Sequence, residues 1–272
     1  MKLWKAHGLG NDYLVWEEPA IPVTEDSVRR ICHRTKGVGA DGILEPVHSD
    51  RAEYGVRIWN PDGSIAEKSG NGLRIYAHWL HYIQQAPKRF RIDTGACLVE
   101  ADIQEDWIAI DMGRAYWSPE DIPTTSVVWQ TKHLFSKREV VLYAVGIGNP
   151  HCVSFCDVDQ ELDELPWREW GALLERDARF PNRTNVQFAK VLSRNAIEIR
   201  IWERGAGETS ASGSSSCAVA VVAHRLGWVD NVITMQMPGG ILQVSIDEQG
   251  EIRLIGPVEE VGRIILSSSS VD

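Results

Sequence analysis

The sequence predicts an α/β (α+β) chain of two pseudo-symmetric domains, each a mixed, mostly antiparallel sheet wrapped around a central helix. Three observations predict it: the chain repeats against itself, short alternating segments read as strands, and each half holds one helix-like run. The size allows two cores, since 272 residues at 43% hydrophobic content match two domains of ordinary size.

Sliding the chain by 143 residues places Arg57-Ile58-Trp59-Asn60 on Arg200-Ile201-Trp202-Glu203, and Ser69-Gly70 on Ser212-Gly213. An offset of 138 places Gly8-Leu9-Gly10-Asn11 on Gly146-Ile147-Gly148-Asn149, and one of 144 places Thr94-Gly95-Ala96 on Pro238-Gly239-Gly240. Three collinear matches at nearly one offset point to internal duplication. In each half a β-rich tetrad leads through a loop with glycine and acidic residues to Ser-Gly and then to a helix-like run, Leu73 to Leu80 or Ser216 to Ala223. The second run is apolar almost all round. A helix without a polar face is buried on every side, which calls for strands around a central helix.

Alternation marks strands in Phe90 to Ile103, Trp107 to Met112, Glu139 to Val145, Ala196 to Trp202 and Ile252 to Ile255. Ser118-Pro119-Glu120-Asp121 reads as the linker, so the domains are set at residues 1–117 plus 264–272 and at 118–263. Ser267 to Ser270 reads as a frayed tail.

A formal net charge of −10 lacks the basic patch that phosphate backbones require, which argues against nucleic acid and anionic membrane as partners. A small charged metabolite fits. No apolar run approaches the roughly 18 residues of a membrane span; the longest, Cys217 to Ala223, is followed by His224 and Arg225. Met1 to His7 lacks the apolar segment of a secretory signal, so the five cysteines are expected as free thiols in a reducing cytoplasm. His151-Cys152 with Cys156 invites a metal reading, but Cys152 to Cys156 is β-rich and has no second ligand pair at zinc spacing; a core strand is expected and no metal.

Ser69-Gly70-Asn71-Gly72 and Ser212-Gly213-Ser214-Ser215 put small residues where a loop becomes a helix, leaving backbone N–H groups to point at a carboxylate or phosphate. The alternative is a plain N-cap, which serine favours for stability alone. With the halves facing each other, one active site is expected between them, with Ser69 and Ser212 reaching one atom from opposite sides. Such a pair suits inversion at a carbon.

The motifs Lys5-Ala6-His7-Gly8-Leu9-Gly10-Asn11-Asp12-Tyr13, Gly37 to Gly42, Asn60-Pro61-Asp62-Gly63-Ser64, Gly70-Asn71-Gly72, Gly148-Asn149-Pro150-His151 and Glu203 to Thr209 resemble, in this order, the diaminopimelate epimerase family. The resemblance implies a cytoplasmic, PLP-independent isomerase that interconverts LL- and meso-diaminopimelate in lysine and peptidoglycan biosynthesis, without a cofactor. It implies two similar halves clamped on a small amino-acid substrate, and a homodimer is a further expectation. It also implies that Asn11, Asn60, Asn149, Asn185 and Arg204 hold substrate and that Gly70, Asn71, Gly213 and Ser214 cradle its carboxylate. His151 and Glu203 match the pair that assists proton transfer, Glu203 also counting among the substrate-holding groups.

Two positions depart from the family, which carries catalytic cysteines where this chain has Ser69 and Ser212. A thiol near pKa 8.5, lowered further at a helix N-terminus, can exchange a proton with an α-carbon; a hydroxyl needs an activating base. Three readings stay open. The favoured one is an epimerase whose catalytic cysteines were replaced deliberately, because Cys32, Cys97, Cys152, Cys156 and Cys217 remain and the surrounding motifs are intact. The second is a natural epimerase, isomerase or dehydratase acting on another amino acid, with His151 or Glu203 as base. The third is a non-catalytic amino-acid-binding protein.

Overall fold

The computed structural model of the protein describes residues 1–18, 21–105, 107–125, 129–135 and 138–266. The tail expected at Ser267 to Ser270 lies outside the described residues. The chain divides into two compact units, Met1–Asp111 joined by the described residues from Gly256 onward, and Met112–Ile255.

The first unit runs β1 (Lys2–Gly8), β2 (Asn11–Trp16), α1 (Glu25–Cys32), β3 (Ile43–Val47), β4 (Tyr54–Trp59), β5 (Ile65–Ala66), α2 (Gly70–Tyr82), β6 (Arg89–Asp93), β7 (Leu98–Ile103) and β8 (Ile108–Arg114). A last strand, Glu259–Ile265, returns to pair antiparallel with β1. Pairing is antiparallel for β1 with β2, parallel for β2 with β3, and antiparallel for β3 with β4. β4 then takes β5 antiparallel and β6 parallel, and β6, β7 and β8 follow as a meander.

Local chemistry explains the turns and the helix starts. Leu9 and Gly10, at φ 57° and 88°, close the β1–β2 hairpin with the two positive φ values of a type I′ turn. α1 begins on a capping box in which Thr24 accepts from the Ser27 N–H and the Ser27 hydroxyl accepts from the Thr24 N–H. Every residue of α2 from Gly70 to Ala77 is buried, and the helix packs on β1, β2 and β7. The Tyr76 hydroxyl, buried with the rest, donates to the Gly55 carbonyl at 2.9 Å.

The second unit runs β9 (Gln130–Phe135), β10 (Arg138–Gly146), β11 (Pro150–Phe155), a 3₁₀ turn (Leu162–Glu164), α3 (Trp167–Glu175), β12 (Asn185–Ser193), β13 (Ala196–Glu203), β14 (Gly207–Thr209), α4 (Gly213–Arg225), β15 (Val232–Met237), β16 (Gly240–Ile246) and β17 (Glu251–Gly256). The returning strand Glu259–Ile265 is thus β18. β10 to β17 repeat the pairing of β1 to β8 step by step: antiparallel, parallel, antiparallel, then β13 with β14 antiparallel and β15 parallel, then a meander. β9 takes on β10 the place that β18 takes on β1. The duplication in sequence is therefore a duplication of topology.

α4 packs against β10, β11, β12, β13, β15 and β16, and Ser215 to Ala223 are all buried. Its alanine and valine side chains are short enough for strands to approach on every side, as the missing polar face requires. A separate core in this unit stacks Phe135 on Trp170 at 4.6 Å beside Trp167 and Phe188. Residues 118–121 form a turn within the second unit, where the Ser118 hydroxyl donates to Asp121 at 2.7 Å. Among the described residues no helix is long and apolar enough to cross a membrane.

Candidate functional site: two serine-headed helix starts

Ser69 occupies the N-cap of α2 with extended backbone, φ −137° and ψ 113°. Its Oγ accepts the Gly72 N–H at 3.1 Å and lies 3.0 Å from the Tyr13 hydroxyl. Two helix donors, the N–H groups of Gly70 and Asn71, keep no partner among the described residues, as the first turn of a helix dictates. A Cβ at position 72 would stand 3.1 Å from Ser69 Oγ, a tight approach that glycine avoids. Ser69 thus fills the structural N-cap role that serine favours.

The Asn71 side chain donates from Nδ2 to Asn11 Oδ1 at 3.1 Å, and Asn11 Nδ2 donates to Asp41 at 2.8 Å. The buried Arg74 donates to Asn71 Oδ1 at 2.8 Å. Arg34 joins Asp41 to Asp12 through bonds of 2.6 and 2.7 Å, and Lys5 lies 2.8 Å from Asp12. Burial opposes ionisation of Asp12, but hydrogen bonds from Arg34 and Lys5 outweigh it and hold its carboxyl below the usual range. Asn60 sits apart from this group, closing the β4–β5 turn through Nδ2 on Ser64 Oγ at 3.0 Å.

In the second unit Ser212 is the N-cap of α4, at φ −150° and ψ 126°, yet its side chain makes no cap bond. Its carbonyl accepts the Ser216 N–H at 3.1 Å and the Ser216 hydroxyl at 2.9 Å. The N–H groups of Gly213 and Ser214 keep no partner among the described residues. Ser215 is engaged elsewhere, accepting from Gln187 Nε2 at 3.0 Å.

His151 lies in β11, wholly buried, with Nε2 2.7 Å from Asn149 Oδ1 and Nδ1 3.1 Å from Gln187 Nε2. Gln187 Nε2 is a donor, so Nδ1 accepts and Nε2–H donates to Asn149. Burial pushes the ring's pKa down to about 3, and the Arg204 charge pushes the same way. The imidazole is neutral at pH 7 with both nitrogens engaged. Asn185 is also held in place: Oδ1 accepts the Arg204 N–H at 3.0 Å and Nδ2 donates one N–H to the Pro150 carbonyl at 3.0 Å. Glu203 ends β13, and the exposed Arg204 side chain reaches the Asn182 carbonyl at 3.3 Å.

The residues expected from sequence, Asn60 apart, therefore lie within each unit at the start of its central helix or are linked to it through neighbouring strand ends. Tyr13, Asp41, Arg74, Gln187 and Ser215 join them without having been singled out. Two carried a signal: Arg74 is a charge inside the largely apolar run Leu73 to Leu80, and Gln187 is an amide among the apolar Val186, Phe188 and Ala189. Cys152 lies in β11, as a core strand should, and burial raises its thiol to about 12.

A family model described as diaminopimelate epimerase matches residues 3–118 and 143–261, so that both halves fall within it. The chain belongs to the diaminopimelate epimerase family. Its relatives include diaminopimelate epimerase 2 of a Nostoc species, 42% identical over 98% of this chain and 96% of the relative. Another is the diaminopimelate epimerase of Synechococcus elongatus, 37% identical over 94% of this chain and 95% of the relative. Among solved structures, one from Pseudomonas aeruginosa described as a predicted epimerase superposes with a TM-score of 0.68 at 16% identity, covering 98% of this chain and 99% of the other. A hydroxyproline epimerase from Agrobacterium vitis with bound trans-4-hydroxy-L-proline superposes at 0.66 and 15% identity, covering 100% and 93%. At such identities the structural likeness speaks for the fold alone. Within the diaminopimelate epimerase family, this fold is the expected mixed sheet around a central helix, made twice.

Proposed function

We propose that this chain binds diaminopimelate and that the reaction its architecture serves is the PLP-independent interconversion of the LL and meso forms, with little turnover while serine stands at 69 and 212. One observation carries the binding reading: each half starts its central helix on a serine followed by two N–H groups without an internal partner, Gly70 and Asn71 in one, Gly213 and Ser214 in the other. Such donors, with the positive end of the helix dipole, suit a carboxylate. Each such start suits one carboxylate group of a small amino-acid substrate. In this reading Asn11, Asn60, Asn149, Asn185, Glu203 and Arg204 hold the substrate, and His151 acts by orienting Asn149 and not as a base.

Low turnover is supported by what the two hydroxyls touch. Ser69 Oγ is bonded to a helix N–H and a phenol, and Ser212 Oγ to no partner among the described residues; neither bonds to a base that could activate it. We place the protein in the cytoplasm, as a homodimer for which the exposed Val261 and Ile265 of β18 offer apolar surface. Calorimetry with LL- and meso-diaminopimelate tests binding, and deuterium exchange at the α-carbon tests chemistry. The parent chain is expected to bind without exchange, and Ser69→Cys with Ser212→Cys to exchange. A parent that binds neither stereoisomer defeats the substrate assignment. Rapid exchange by the parent defeats the role given to the serines.

A further inference from the structure

The hydrogen bonds at the start of α2 form a line with unambiguous ends. A guanidinium only donates and a carboxylate only accepts. Arg74 Nη2 meets Asn71 Oδ1 at 2.8 Å, so Asn71 presents its nitrogen to Asn11 Oδ1 at 3.1 Å, and Asn11 in turn presents its nitrogen to Asp41 Oδ2 at 2.8 Å. Reversing either carboxamide would set oxygen against oxygen or nitrogen against guanidinium. The line is anchored at both ends. Arg74 is wholly buried under β1, where a Cβ on Gly8 would stand 2.8 Å from its Nη2. Asp41 Oδ2 accepts a second bond from the Asp12 N–H at 3.1 Å, and its Oδ1 takes Arg34 at 2.6 Å.

We propose that Arg74 and Asp41 are positioning residues: as the donor-only and acceptor-only ends of this line, they hold the carboxamides of Asn71 and Asn11 in one direction, leaving each nitrogen a second N–H to donate to a carboxylate. The carboxylate ligand rests on the function proposed above; the direction of the line does not. A carboxamide turned the other way would offer carbonyl oxygen to an anion, replacing attraction by repulsion.

Two substitutions at the partly exposed Asp41 separate acceptor from charge. Asp41→Asn loses the charge and the Arg34 ion pair, but its carboxamide oxygen still accepts from Asn11 and from the Asp12 N–H. Asp41→Ala loses both. With affinity for meso-diaminopimelate measured by calorimetry, Asp41→Asn is expected within about threefold of the parent and Asp41→Ala about tenfold or more weaker. Equal affinities for the two variants, both retained or both lost, overturn the proposal. Neutron diffraction from crystals of the parent protein reads the direction without ligand: deuterium on Asn71 Nδ2 facing Asn11, and on Asn11 Nδ2 facing Asp41, is expected. The reverse arrangement, or mixed orientations, overturns the proposal even if the parent binds neither stereoisomer, a result that would defeat the substrate assignment alone.

Discussion

Replacing Ser69 by alanine is expected to destabilise the protein by about 1 kcal/mol, whereas the same change at Ser212 costs less than about 0.5 kcal/mol. The two serines sit at equivalent places in the repeat, so the difference must come from what each hydroxyl touches. Ser69 Oγ accepts the Gly72 N–H at 3.1 Å and pairs with the Tyr13 hydroxyl at 3.0 Å. Alanine leaves that helix donor without a partner and takes one from a buried phenol, which sets the loss in the middle of the range for N-caps. Ser212 has no such bond; its contribution to α4 is a backbone carbonyl that accepts from Ser216, and alanine supplies the same carbonyl. Removing a buried hydroxyl that has no partner among the described residues is close to neutral. Urea denaturation followed by tryptophan fluorescence measures both, with each transition fitted separately where the units unfold in steps. Equal losses, or a larger loss at Ser212, would refute the reasoning. One corollary concerns the thiol: sulfur is a poor acceptor, so Ser69→Cys should show most of the loss seen with alanine.

Burial of neutral His151 should tilt stability against pH. Its folded pKa of about 3 lies below the unfolded value near 6.5, so as pH falls from 6.5 towards 3 the unfolded chain takes up a proton that the folded chain refuses. Stability then drops by up to about 1.4 kcal/mol per pH unit from this group, and His151→Gln should show a shallower slope in urea melts between pH 7 and 4; an unchanged slope counts against the burial argument. Thiol titration of the native protein should find at most two fast groups, Cys97 and Cys156, because Cys32, Cys152 and Cys217 are buried and burial raises Cys32 and Cys152 to about 12. Three or more fast thiols would mean the cores open readily. Gly8→Ala should cost about 1–3 kcal/mol, since its Cβ would stand 2.8 Å from a guanidinium with no room to swing away; a melt superimposable on the parent's would show that Arg74 can move.

How far the sequence could be read depended on the distance over which each determinant acts. α4 was legible because a run of apolar side chains without a polar face is a local signal, and α2 because the repeat of Ser-Gly after Arg-Ile-Trp marked the same step in both halves. The start of α1 was equally local, in Thr24 and Ser27, though no helix was assigned there. Sheet pairing was legible only through duplication: nothing short-range says that β4 takes β6 in parallel, but two copies of one order imply one topology. The wiring of the site was not legible. Asn71 and Asn11 are 60 residues apart, Gln187 and His151 are 36 apart, and which atom of an amide or imidazole donates is settled by the partner at the far end of the line.

The contrast between the two serines follows from the same rule. At the third helical position after Ser69 stands Gly72, without a side chain to compete, and its N–H turns back onto the serine hydroxyl. The equivalent position after Ser212 is Ser215, whose hydroxyl accepts from Gln187, the amide that also holds His151. Both helix starts are tied to a strand beside them, but only the first is also closed by the hydroxyl of its own cap. A side chain at 212 is free of helix-capping duty and one at 69 is not. It follows that Ser212→Cys should leave stability nearly unchanged while Ser69→Cys lowers it, and that the double variant proposed above for α-proton exchange carries the cost of position 69 alone. Urea melts of the three cysteine variants check this directly; a double variant less stable than Ser69→Cys by more than about 0.5 kcal/mol would show that Ser212 supports its helix in a way the hydrogen bonds do not reveal.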